Sequence, residues 1–130
     1  MARRIMIDKS ENRLRLYEGS QLLRTYPVAT GADQSVTPEG RFTIVFKTHC
    51  PGWTNPRTNE FIAGCTPRNP LGTRWLGLSI GGGRRYGIHG TNDPSSIGQR
   101  ITLGCVRMYN EHVQELYDMA PLGTVVIIQP

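Results

Sequence analysis

Residues 86–110 read YGIHGTNDPSSIGQRITLGCVRMYN, and the rest of the chain is organised around them. A short apolar approach leads to His89, a turn-rich linker follows, and Cys105 sits within Thr102-Leu103-Gly104-Cys105-Val106-Arg107-Met108. A cysteine and a histidine that can meet in space, with small residues beside both, are the ingredients of an activated thiolate. Gly104 lets backbone N–H groups approach a developing oxyanion. The carbonyl of Gly90 can accept the second ring N–H of His89 and fix its tautomer. Taken alone this spacing is a weak signal, because an isolated cysteine is more often a small buried hydrophobe.

Outward from that stretch the chain reads as a β scaffold. Residues 4–8 and 13–17 alternate apolar and polar around the turn Lys9-Ser10-Glu11-Asn12, which predicts a hairpin. Residues 22–30 form a third strand, Thr37-Pro38-Glu39-Gly40 a turn, and residues 41–48 alternate through Phe42, Ile44 and Phe46. Four strands in under fifty residues argue an antiparallel meander. Residues 50–73 are rich in turn formers and read as a long excursion, either a flap over a groove or a surface loop. Trp53 lies near its start and Trp75 just beyond its end, as core packing or as lining. Residues 75–80 and 86–89 return to strand, with Gly81-Gly82-Gly83 between them. Asn110 is placed to cap a helix with Val113, Leu116, Tyr117 and Ala120 on one face and Glu111 in its first turn. Pro121 and Gly123 end it, and residues 124–128 make a last, fully apolar strand. The expected architecture is mainly β, an antiparallel sandwich or barrel-like fold with one short C-terminal helix.

A chain of 130 residues is most simply one domain, residues 1–130, large enough for a real core. It holds no apolar run long enough for a helical membrane span. The start, MARRIMIDKS, shows no secretory signal, since Asp8 and Lys9 interrupt any apolar core. The net charge is +5, and Lys9 and Lys47 are the only lysines, so arginine carries the positive charge. Such a surface suits nucleic acid, anionic wall polymers or a carboxylate-bearing substrate, and charge alone does not choose. Three cysteines without a CxxC give no support to a zinc ribbon or thioredoxin-like site. A Cys50–Cys65 disulfide with Cys105 free, and three reduced thiols, both remain open. His49 and His112 carry no motif and read as surface residues.

The central residues resemble a known family. His89-Gly90-Thr91-Asn92, Pro94-Ser95-Ser96-Ile97-Gly98 and Thr102-x-Gly104-Cys105-Val106-Arg107-Met108 are similar to the signature of the L,D-transpeptidase catalytic domain of the YkuD type. Thr37-Pro38-Glu39-Gly40-Arg41-Phe42 and Asn69-Pro70-Leu71-Gly72-Thr73-Arg74-Trp75-Leu76-Gly77-Leu78 resemble two upstream family segments, in the expected order. The resemblance implies Cys105 as nucleophile, His89 as base and later acid, and the Gly90 carbonyl as its orienting partner. Gly104 and Cys105 N–H groups become the oxyanion donors, while Thr102 and Arg107 shape the site and Tyr86 and Trp75 line it or pack beneath it. Two departures stand out. Thr102 replaces a common serine and keeps the hydroxyl. Leu103 replaces a common histidine, which leaves His89 as the nearby base.

The implied reaction is acyl transfer between peptidoglycan stem peptides, forming a cross-link between third residues through a thioester, without metal or cofactor. With water as acceptor the same site is an L,D-carboxypeptidase. The implied partners are peptidoglycan stems and anionic wall polymers, with no nucleic acid and a monomeric chain. The implied location is the cell wall, extracytoplasmic, with the spore envelope as an analogy. Three rivals are a metal hydrolase, a basic β-barrel using Arg84-Arg85-Tyr86 on nucleic acid, and an inactive wall-binding module. Adjacent His49 and Cys50 point to opposite faces of a strand and make a poor ligand pair.

Overall fold

The structure is a computed structural model that describes residues 2–32 and 37–130. In chain order its strands are β1 (Arg3–Asp8), β2 (Arg13–Glu18), β3 (Gln21–Pro27), β4 (Thr30–Gly31), β5 (Gly40–His49), β6 (Trp53–Thr54) and β7 (Phe61–Ile62). Then come β8 (Arg74–Leu78), β9 (Gly87–His89), β10 (Arg100–Thr102), β11 (Val106–Arg107), helix α1 (Asn110–Met119) and β12 (Val125–Gln129). Eight strands form one sheet in the order β11-β9-β8-β5-β12-β1-β2-β3, curled into a half-barrel. Two small pairs, β10-β4 and β6-β7, lie outside it.

The mainly β architecture with one short C-terminal helix is as expected, but the pairing is mixed. β1, β2 and β3 do form an antiparallel meander. β5 does not continue it: β12 inserts between β1 and β5, parallel to β1 and antiparallel to β5. β11 also runs parallel to β9. β12 buries Val126 and Ile128 on the core face and leaves Val125 and Ile127 half-buried on the other.

Alternation sets the core. Ile5, Ile7, Leu14, Leu16, Ile44, Leu76, Leu78, Ile88, Val106, Val126 and Ile128 point to one face, and α1 lays Val113 and Leu116 against them. The spacing read for the helix is right, and Ala120 joins the same cluster. Lys47 reaches the helix C-terminus, where its Nζ donates to Tyr117 O at 2.6 Å and Ala120 O at 3.0 Å. A cation there satisfies open carbonyls and suits the helix dipole. Lys9, read as a turn residue, is only 2% exposed; its Nζ donates to Thr37 O and pairs with Glu39.

One local irregularity shapes the functional end. The register of β5 against β8 shifts between Ile44 and Phe46, so Ile44 faces Leu78 while Phe46 faces Gly77. A bulge adds one residue and turns the following side chains over. Phe46 therefore leaves the core face that Phe42 and Ile44 share and joins the opposite face.

Candidate active site

Three neighbouring strands bring the sequence-nominated residues together. Trp75 on β8 lies opposite His89 on β9, and His89 lies opposite Arg107 on β11. Leu76, Ile88 and Val106 form the adjacent row and point into the core. Side chains alternate along strands, so Trp75, His89 and Arg107 share the other face. Cys105, one residue before β11, falls on that same face beside Gly87, whose backbone N–H favours its thiolate. The thiol also makes a long contact of 3.7 Å to Arg85 O. Among the described residues no hydrogen bond joins Sγ to the imidazole. Gly87 carries no side chain because a Cβ there would stand 2.6 Å from the Trp75 ring.

His89 is 5% exposed and stacks on Trp75, with ring centroids 5.6 Å apart and planes 16° from parallel. Trp75 is held in turn by its Nε1–H, which donates to Gly83 O at 2.8 Å. The Nδ1 of His89 lies 2.5 Å from Gly90 O. A carbonyl only accepts, so Nδ1 carries the proton and Nε2 is left as the acceptor nitrogen. Burial lowers the pKa of the imidazole to about 4, assisted by the charge of Arg107 and opposed by the carbonyls of Gly90 and Leu71. The ring is thus neutral at pH 7. Burial likewise raises the Cys105 thiol, opposed by the Gly87 hydrogen bond and the Arg107 charge. The resting pair is a neutral thiol and a neutral imidazole.

The loop before the nucleophile is internally braced. Thr102 Oγ1 donates to Cys105 O at 2.7 Å and accepts from Gly104 N–H at 3.2 Å. Gly104 has φ 136°, a backbone open to glycine and strained for other residues. Arg107 donates from a terminal guanidinium nitrogen to Ser96 Oγ at 3.0 Å, while its buried Nε has no partner among the described residues.

The excursion forms one wall of the site. Cys50 and Cys65 are disulfide-bonded and close it at its base, leaving Cys105 as the free thiol. Inside it the fully buried Asn69 donates from Nδ2 to Pro51 O, Ile62 O and Ala63 O, and its Oδ1 accepts from Leu71 N–H. Pro51, Trp53 and Leu71 then face Trp75, Phe46, Arg84, Arg85 and Cys105 across a groove of about 320 Å³. Of the two aromatic residues named for the site, Trp75 lines this groove. Tyr86 packs partly against the core, with the Arg85 guanidinium over its ring.

Asn110, expected to cap the helix, takes a different role. It is the first helical residue rather than the cap, which is Tyr109. Its Oδ1 accepts from Thr73 N–H at 3.3 Å and Thr91 N–H at 3.0 Å, and its Nδ2 donates to Thr91 O at 2.9 Å. A Cβ on Gly90 would stand 2.1 Å from that Oδ1. Asn110 thereby ties the end of the excursion to the loop that carries the His89 partner. Glycines at 72 and 90, both crowded by this one amide, were the available signal.

His49 is exposed, as expected, but His112 is half-buried between Tyr26 and Tyr109, with centroids 5.0 and 5.3 Å away. Among the described residues no group of three or more His, Cys, Asp or Glu side chains is placed to hold a metal ion. No helix there is long and apolar enough to cross a membrane.

The chain matches the L,D-transpeptidase catalytic domain, YkuD, over residues 2–128. It belongs to that family. Among its relatives, YqjB of Bacillus subtilis is 39% identical over 126 residues, covering 95% of this chain and 69% of that protein. YkuD of Bacillus licheniformis is 42% identical over 127 residues, covering 98% of this chain and 66% of that protein. The chain thus spans about two thirds of the length of these relatives. The fold of this family member is also that of solved structures. The catalytic domain of the Enterococcus faecium L,D-transpeptidase matches with a TM-score of 0.71 at 21% identity, covering 97% of this chain and 95% of that one. The L,D-transpeptidase LdtMt1, solved in complex with imipenem, matches with a TM-score of 0.78 at 16% identity, covering 98% of this chain and 59% of that one.

Proposed function

We propose that residues 1–130 act as one catalytic domain of a peptidoglycan L,D-transpeptidase. Cys105 attacks the carbonyl of the third residue of a tetrapeptide stem. As it does so, Nε2 of His89 takes the thiol proton and passes it to the departing amine. The bond to the terminal D-alanine breaks, D-alanine leaves, and the third residue stays on Sγ as a thioester. An amine of a second stem then attacks the thioester, gives its proton to His89, and displaces the thiol to close a cross-link between third residues. With water in place of the amine, the same steps release a shortened stem.

One observation carries this reading: Cys105 lines the groove, and the buried His89 lies on the same face of the sheet, stacked on Trp75, with the imidazole neutral and its tautomer set by Gly90 O. A neutral imidazole is the form that accepts a proton. Gly104 N–H is already given to Thr102, so the proposal puts the oxyanion on the Cys105 N–H, with Thr102 bracing the loop and Arg107 favouring the thiolate. Trp75 holds the imidazole by stacking and lines the groove. We place the protein outside the cytoplasm, where its substrate lies and where the Cys50–Cys65 disulfide persists.

The test is intact mass after incubation with a carbapenem. One adduct is expected, absent from Cys105→Ser, together with D-alanine release from a tetrapeptide stem that Cys105→Ala abolishes. Turnover retained in folded Cys105→Ala would overturn the assignment.

A further inference from the structure

Among the described residues, the groove beside Cys105 is lined by two guanidinium groups and by no carboxylate. Arg84 and Arg85 both line it. The other arginines near the site are committed: Arg107 donates to Ser96 Oγ and Arg74 to Thr73 O. Five ion pairs are formed among the described residues, and neither Arg84 nor Arg85 takes part in any of them.

Both side chains are nevertheless seated. The Arg84 guanidinium lies 4.6 Å over the ring of Phe46, the residue the β5 bulge delivers to this face. The Arg85 guanidinium lies 5.4 Å from the centre of the Tyr86 ring. The aliphatic stem of Arg85 fills the space a side chain on Gly81 would need, since a Cβ there would stand 2.7 Å from Arg85 Cβ. Gly81, Gly82 and Gly83, with φ of 75°, 76° and 87°, turn the chain so that the two arginines follow directly at the groove. A guanidinium held over a ring by cation–π attraction still has N–H donors to offer, and their fork matches a carboxylate.

We propose that Arg84 and Arg85 form a carboxylate subsite that seats an anionic group next to the bond cleaved by Cys105. The identity of the peptide rests on the function proposed above; the subsite itself does not. The carboxylate can come from the terminal D-residue that leaves, or from the side chain of the third residue.

Alkylation of Cys105 tests the subsite without any peptide. Iodoacetate and iodoacetamide react with the thiolate in the same way, the S–C bond forming as iodide leaves, and differ in their carboxylate. In Arg84→Gln/Arg85→Gln the ratio of the iodoacetate to the iodoacetamide rate should fall roughly fivefold, the scale of an exposed ion pair. Arg13→Gln/Arg41→Gln, which removes the same charge elsewhere, should leave the ratio near that of the wild type. An equal fall in both double variants would overturn the subsite and leave only general electrostatics. Tetrapeptide donors then distinguish the sources. A C-terminal amide raises KM in the wild type but not further in Arg84→Gln/Arg85→Gln if the subsite reads the leaving residue. A third-residue side-chain amide does so if it reads that residue. Absence of turnover with every donor would overturn the transpeptidase reading, while the alkylation ratio still decides the subsite.

Discussion

His89 is a buried imidazole whose charge the fold refuses, and that refusal has a stability consequence. The unfolded chain takes up a proton on this ring near pH 6.5, the folded chain only near 4. Between those values the unfolded state binds more protons, so stability falls as the pH is lowered through that window. The shift is worth about 3 kcal/mol when complete. Urea unfolding at pH 7 and pH 4 should show that loss, and His89→Gln should lack most of it. An equal loss in the variant would assign the acid sensitivity to carboxylates such as Asp8 and Glu115, whose pKa values are lowered in the fold. At this scale Cys105 and His89 were legible because glycines mark both and the flanking residues follow a known pattern. Arg84 and Arg85 were legible only as a basic cluster. The seat of Arg84 depends on Phe46, and alternation through Phe42, Ile44 and Phe46 cannot reveal a bulge that turns Phe46 to the other face.

Helix α1 shows the same limit among elements. Its apolar spacing predicted the buried face correctly, because packing against the sheet enforces it. An asparagine before an amphipathic run usually caps, but Asn110 is the first residue of the helix and Tyr109 the cap. Here the amide is spent on Thr73 and Thr91 instead, so the helix fixes the groove wall relative to the His89 loop. Asn110→Ala should lower unfolding free energy by about 1–3 kcal/mol through two unsatisfied N–H groups and a lost donor. Hydrogen exchange at Thr73 and Thr91 should quicken at the same time. Unchanged exchange at both amides would show that the clamp does not hold these loops. The excursion was recognised from its turn formers, but its order was not, since that order comes from one buried amide, Asn69, reaching three carbonyls.

Across the whole molecule the Cys50–Cys65 bond closes a loop with a sequence separation of 15. A cross-link of that span acts mainly on the unfolded chain and contributes about 3 kcal/mol. Cys50→Ser/Cys65→Ser should therefore melt earlier, as calorimetry would show, with Cys105 still free to react. A melting temperature equal to that of the oxidised wild type would mean the loop is already ordered without it. The mainly β fold and the terminal helix were readable from pattern, whereas the neighbour of each strand was not. Periodicity reports which face a residue takes, not which strand lies beside it.

The placement of β12 bears on how the chain is made. Its residues 125–129 join two halves of the eight-stranded sheet, β1-β2-β3 and β5-β8-β9-β11. Translation delivers both halves well before their connector. Until β12 emerges from the ribosome, β1 and β5 each present an open edge of unpaired N–H and C=O groups, the template on which strands of separate chains associate. Order of synthesis and order of assembly run against each other, so products stalled before residue 125 should be the ones that aggregate or recruit chaperones.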